Sequence, residues 1–211
     1  MDESSIQEAV IAGQQELLCE LVNKELNDGS SPNAILNAMI AGMGVVGERF
    51  QRKEYFIPDV MFAARAMTAG TSILKPLLVA SGAKPLGKVV IGTVLNDQHD
   101  IGKNIVAMML EGAGFEVVNL GRDVAPERFV ESVRETNAKI VGLSSLITTS
   151  MPQMKRTIDL LSEAGLRDSV FVLIGGAPVT EDYAKSIGAD GYADDATGAV
   201  QKVKELLRIE C

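Results

Sequence analysis

The stretch Val89-Val90-Ile91-Gly92-Thr93-Val94-Leu95-Asn96-Asp97-Gln98-His99-Asp100-Ile101-Gly102-Lys103-Asn104 changes character twice within 16 residues. It opens on a β-branched run without polar alternation, the pattern of a strand buried on both faces. A polar loop follows from Asn96 to Asp100, and helical periodicity then runs over 101–111. Strand, loop and helix in this order make the first half of a βαβ unit.

Downstream the alternation repeats. Further strands are predicted over 116–120, 140–144, 170–174 and 191–192, and further helices over 126–137, 152–164, 180–187 and 196–208. Five near-continuous apolar strands separated by helices predict a doubly wound, flavodoxin-like parallel sheet of order 2-1-3-4-5. Its ligand crevice lies at the C-terminal strand ends, where the order reverses between the first and third strands.

Upstream the texture is helical. Leu17, Leu18, Leu21, Val22 and Leu26 form a stripe that stops at Asn27-Asp28-Gly29. Ser31-Pro32 reads as an N-cap with proline in the first turn, and Ile35, Met39, Met43, Val46 and Phe50 recur at helical spacing. Ile57-Pro58 starts another helix, carried by Val60, Met61, Ala64, Met67, Leu74, Leu77 and Leu78. Ser81-Gly82-Ala83-Lys84-Pro85-Leu86-Gly87 reads as a linker. The α/β chain is thus expected to have a helical bundle over 1–84 and the sheet domain over 85–211. Gly42-Met43-Gly44-Val45-Val46-Gly47 matches the dinucleotide fingerprint, but no strand precedes it, and its glycines are expected to permit close helix packing.

Composition narrows the chemistry. With 211 residues, 46% hydrophobic, the chain has material for a sizeable core, and a net charge of −8 argues against nucleic acid and anionic membranes as partners. Without a long apolar run or a basic signal-peptide start, and with only Cys19 and Cys211, a cytoplasmic, reducing location is expected. His99 is the only histidine. A protein-built zinc site needs three or four ligands, so a metal bound by His99 must bring its other ligands with it, as iron in haem or cobalt in a corrin does. Asp97, two residues away, suits the carboxylate that fixes the tautomer of a ligating imidazole. Ser144-Ser145-Leu146-Ile147-Thr148-Thr149-Ser150 follows the third strand and Gly175-Gly176 the fourth, so one crevice collects all three loops. The hydroxyls also suit the cap of the next helix, and the glycine pair suits a tight turn.

The arrangement D-x-H-x-x-G, 41 residues, S-x-L, 28 residues and GG resembles the signature of domains that bind cobalamin with a histidine replacing its own base beneath cobalt. The helical half is similar to the cap of methionine synthase and of the corrinoid proteins of methyltransferase systems. Val46-Gly47-Glu48-Arg49-Phe50 and Phe56-Ile57-Pro58-Asp59-Val60 resemble the segments covering the upper corrin face. The resemblance implies a corrinoid methyl carrier with cobalamin as cofactor and His99 as the metal ligand. Asp97 is its hydrogen-bond partner, and Ser150 the next link of a proton relay from solvent. Gly102, Ser144, Leu146 and Thr148 line or make room for the displaced nucleotide tail, which Gly175 and Gly176 let the backbone approach. Phe50, Ile57 and Val60 cover the methyl group. Gln98 stands where the family more often has valine.

The implied partners are a donor-specific methyltransferase that places a methyl group on Co(I), an acceptor methyltransferase that passes it to tetrahydrofolate or coenzyme M, and a reductive activating protein. The alternatives are a cobalamin-dependent sensor or regulator, and a doubly wound receiver or flavodoxin-like module without a corrin.

Overall fold

The computed structural model describes residues 2–80 and 85–209. Most of the expected linker, residues 81–84, and Cys211 lie outside them. The chain divides into two compact units, Met1–Pro85 with Met108–Gly114, and Leu86–Ala107 with Phe115–Cys211.

The helical unit contains α1 (Glu3–Ile11), α2 (Gln15–Asn27), α3 (Pro32–Gln51) and α4 (Ile57–Ala80). Helix α1 was not predicted. It is capped by Asp2, whose carboxylate accepts from the Ser5 N–H, and it buries Ile6, Ala9 and Val10. Helix α2 ends where glycine was expected to stop it, with Gly29 at φ +88°. Ser31 caps α3, its hydroxyl accepting from the Ala34 N–H with Pro32 in the first turn. The dinucleotide-like glycines lie inside α3. A methyl group at Gly42 would come within 2.9 Å of the Gln7 carbonyl of α1, so this glycine serves helix packing. Around Gly44 there is open space, and close packing does not explain it.

The second unit is a five-stranded, all-parallel sheet of order β2-β1-β3-β4-β5, made from β1 (Lys88–Thr93), β2 (Glu116–Asn119), β3 (Ile140–Ser144), β4 (Phe171–Gly175) and β5 (Gly191–Ala193). Between and after them run α5 (Ile101–Gly112), α6 (Pro126–Thr136), α7 (Pro152–Glu163), α8 (Glu181–Ile187) and α9 (Ala196–Leu206). Val90, Val141, Leu143, Val172 and Ile174 from the central strands pack with Phe129, Met154, Ile158 and Leu161 from α6 and α7 in one buried cluster. The register aligns Thr93, Ser144 and Gly175 in a single row. Loops after β1, β3 and β4 therefore leave the sheet at the same level, and this row positions the site.

One buried hydroxyl in this unit is unexplained by packing. Ser132 of α6 has no accessible surface, and its Oγ has no hydrogen-bond partner. A desolvated, unsatisfied hydroxyl costs about 1–3 kcal/mol. Ser132→Ala is expected to raise stability by about 1 kcal/mol, measured as a higher urea midpoint at unchanged slope.

Candidate functional site

The site is built on the loop between β1 and α5. Asn96 takes a left-handed backbone, φ +66°, which its short polar side chain tolerates, and its N–H donates to Asp123 Oδ1 at 2.7 Å. The Asp123 N–H in turn donates to the Asp97 carbonyl at 3.0 Å. Asp97 is thereby turned inward and its side chain has no accessible surface.

His99 is held at three points. Its N–H and its Nδ1 lie 3.0 and 2.8 Å from Asp97 Oδ1, and its carbonyl accepts from the Thr93 hydroxyl at 3.0 Å. The other carboxylate oxygen, Oδ2, accepts from the Leu146 N–H at 2.7 Å, the Ile147 N–H at 3.3 Å and the Ser150 hydroxyl at 3.0 Å. Ser145 Oγ stands 2.7 Å from Ser150 Oγ and extends the network.

These bonds settle the charge of Asp97. Burial alone pushes a carboxyl up, because it disfavours the charged form. Here the donors from the His99 and Leu146 backbone, the His99 ring and Ser150 outweigh burial and hold Asp97 well below the usual carboxylate range. An ionised Asp97 only accepts, so His99 Nδ1 carries the ring proton and Nε2 presents a free lone pair. The ring is 53% exposed while its partner is fully buried. Such an imidazole is oriented from behind and open in front.

The same region also exposes apolar side chains. Ile101, the first residue of α5, is 70% exposed, and Leu146 and Ile147 of the loop after β3 are 45% and 36% exposed. Exposed large apolar side chains on neighbouring segments suit a binding surface. Leu146 was among the expected site residues; Ile101 and Ile147 were not. A Cβ at Gly102 would meet no atom within 4 Å, leaving that flank open.

The remaining expected residues divide. Ser144 is half-buried and Thr148 exposed, and neither side chain enters the Asp97 network. No side chain caps α7, so the hydroxyls after β3 are not explained as its cap. Ser145 and Ser150 are both fully buried, so Ser150 meets Asp97 but does not itself reach solvent. The glycine pair owes its identity to its own backbone. At Gly176, φ +127°, a Cβ would sit 1.8 Å from the Ser145 carbonyl oxygen, and at Gly175 it would sit 2.9 Å from that of Ala193. No approaching cofactor is needed to explain either glycine. In the helical unit Phe50 is half-buried and Ile57 42% exposed. Val60, also expected to cover a cofactor, has no accessible surface here.

Thr93, Asp123 and Ser145 were missed by the sequence reading. Thr93 carried a signal, as the one hydroxyl in an apolar strand; Asp123 carried none.

The donor set suits one kind of metal. Among the described residues no group of three or more His, Cys, Asp or Glu converges. A single oriented imidazole fits a metallocycle that supplies the other ligands itself. A corrinoid is a group of this kind.

Comparison with known proteins agrees. A B12 binding domain profile matches residues 87–201 and a second B12 binding domain profile matches residues 3–75. The dimethylamine corrinoid protein of Methanosarcina barkeri is 48% identical over 202 residues, spanning 95% of this chain and 94% of that protein. The crystal structure of the methanol:cobalamin methyltransferase complex from Methanosarcina barkeri superposes with a TM-score of 0.89 at 30% identity, over 99% of this chain and 80% of that one. A cobalamin-binding protein from Desulfitobacterium hafniense superposes with a TM-score of 0.81 at 36% identity, over 98% of both chains. The single histidine, its buried carboxylate and both halves of the fold thus converge, and the chain belongs to the family of B12-binding corrinoid proteins of methyltransferase systems.

Proposed function

We propose that this chain is a methyl-carrying corrinoid component of a methylamine methyltransferase system, with dimethylamine the first donor to test. The observation that carries the reading is the Asp97–His99 pair, an imidazole whose Nδ1 is tied to a buried carboxylate at 2.8 Å and whose Nε2 is open. The similarity to a dimethylamine corrinoid protein supports the choice of donor and favours a carrier over a sensor or regulator.

When bound, the corrinoid supplies the metal centre that takes up and releases the methyl group. The chain supplies the rest. His99 would hold the metal through Nε2, Asp97 would fix its tautomer, and the two buried hydroxyls of Ser150 and Ser145 would complete the shell behind the carboxylate. Gly102, Ser144 and Thr148 stand where a displaced nucleotide tail would find space and hydroxyls, while Phe50, Ile57 and Val60 are the residues proposed to cover the methyl group. A donor-specific methyltransferase loads the carrier, and a second methyltransferase delivers the group to coenzyme M or tetrahydrofolate. A reductive activating protein restores carrier oxidised outside the cycle.

The test mixes the cobalamin-loaded, reduced chain with a donor methyltransferase and dimethylamine, or with one for methanol and methanol. An acceptor methyltransferase and either coenzyme M or tetrahydrofolate are then added. Mass spectrometry is expected to find the methylated acceptor with dimethylamine and none with methanol. Transfer from methanol alone reassigns the donor, and a chain that takes up no corrinoid ends the carrier reading.

A further inference from the structure

A lysine is buried beside this site without any carboxylate bonded to it. Lys103, in the first turn of α5, is 3% exposed. Its Nζ donates to Asn104 Oδ1 at 2.5 Å and to Asn119 Oδ1, at the end of β2, at 2.7 Å. The two amides also bond each other, Asn119 Nδ2 donating to Asn104 Oδ1 at 3.1 Å, and Asn119 Oδ1 accepts from the Gly121 N–H at 3.0 Å. Burying an ammonium is expensive, and here burial outweighs the attraction of the Asp100 carboxylate, which acts on Lys103 without bonding it; a helix N-terminus also repels positive charge. A methionine fills a similar volume without either penalty. Packing therefore does not explain lysine here.

The connections it makes do. The loop after β2 is zipped to the His99 loop: Thr93 N–H donates to the Gly121 carbonyl at 3.0 Å, Val124 N–H to the Thr93 carbonyl at 3.0 Å, and Asp123 N–H to the Asp97 carbonyl at 3.0 Å. The loop after β2 is thus one wall of the segment that carries Asp97 and His99, and the loop after β3 is the opposite wall. Helix α5 begins two residues after His99. Among the described residues, the side-chain hydrogen bonds between that helix and the end of β2 join Lys103 and Asn104 to Asn119, with Lys103 Nζ donating to Asn119 Oδ1 and Asn119 Nδ2 donating to Asn104 Oδ1.

We propose that Lys103 is a positioning residue, its buried ammonium latching the end of β2 to the first turn of α5 and so fixing the chain on the far side of His99. Asp97 orients the ring; Lys103 closes the frame around the loop from which the ring projects. Neutral partners suit this role, because an amide oxygen accepts from both the ammonium and the Gly121 N–H. The inference rests on the corrinoid reading and extends it to a residue that need not touch the cofactor.

The experiment compares full-length wild type, His99→Ala, Lys103→Met, Asn119→Leu and Asn119→Asp, each loaded with cobalamin and reduced to Co(II). Electron paramagnetic resonance with nitrogen-labelled protein reads the axial nitrogen, spectroscopic titration reads the cobalamin Kd, and urea unfolding of the apoprotein reads the fold. Lys103→Met and Asn119→Leu are expected to unfold at urea concentrations close to wild type, to lose most of the axial-nitrogen signal and to bind cobalamin roughly fivefold to tenfold more weakly. Asn119→Asp keeps an acceptor for the ammonium and is expected to retain the wild-type signal. Either of two results overturns the latch: full signal and wild-type Kd in Lys103→Met, or loss of signal in Asn119→Asp with the fold intact. A wild-type signal that persists in His99→Ala refutes the corrinoid ligand itself, and the latch with it, so the two failures are told apart by the control.

Discussion

His99→Ala is expected to abolish the axial nitrogen signal of the Co(II)-cobalamin complex while leaving the protein folded. The imidazole is 53% exposed and its ring makes one bond, to Asp97. Removing a half-exposed side chain of this kind costs about 0.5 kcal/mol or less. The other donors to the Asp97 carboxylate, from the His99, Leu146 and Ile147 backbones and the Ser145 and Ser150 hydroxyls, remain in place. Loss of the ligand is expected to weaken cobalamin binding by at least about tenfold, since even partners behind a ligand are worth that much. The vacated space faces solvent, so free imidazole added to His99→Ala is expected to restore an axial nitrogen. With labelled protein and unlabelled imidazole, the restored coupling is that of the added base. Nitrogen coupling that stays protein-derived in the variant would show that another group is the ligand.

The sheet was legible because parallel strands buried on both faces leave long β-branched runs, and each predicted strand or helix of that unit falls within two residues of its observed limits. The boundary from Thr93 into the polar loop, the proline at the start of α7 and the asparagine in left-handed backbone ending α6 are local signals that tertiary contacts did not override. Helix α1 was missed for the opposite reason. Its nine residues bury only Ile6, Ala9 and Val10, and its N-cap depends on Asp2 bonding Ser5, so no stripe was long enough to stand out.

At the site, the residue types were legible and their partners were not. His99 and Asp97 stand two apart in one loop, and that spacing suggested their pairing. Their hold on the fold comes from residues 27 to 53 positions away: Asn96 meets Asp123, and Asp97 meets Leu146, Ile147 and Ser150. Such contacts exist only after the strand order is formed. The glycine pair illustrates the converse case, since a sequence cannot say whether a missing Cβ makes room for a ligand or for the protein's own carbonyl. At Gly176 it is the carbonyl of Ser145.

Asp97→Asn is expected to detach His99 from cobalt without removing it. The change is isosteric, but an amide has one acceptor and one donor end where the carboxylate has two acceptors. In wild type one oxygen serves the His99 N–H and ring, and the other serves Leu146, Ile147 and Ser150. The amide oxygen therefore turns toward the larger set, and its NH₂ faces His99. Nδ1 must then accept, the ring proton moves to Nε2, and the ligating lone pair is gone. The axial nitrogen signal is expected to fall nearly as far as in His99→Ala, although the imidazole is present, with cobalamin binding roughly tenfold weaker. The same substitution leaves the His99 N–H facing a donor and is expected to cost about 2 kcal/mol of stability at pH 7. The pH dependence has a definite sign. Asp97 ionises more readily folded than unfolded, so its contribution is complete above the ordinary carboxylate value of about 4 and is lost as pH falls through its lower folded value. Urea unfolding is thus expected to separate wild type from Asp97→Asn most at neutral pH and progressively less as pH drops below about 4. Equal axial nitrogen signals in the two proteins would make Asp97 a structural anchor with no part in setting the tautomer of His99.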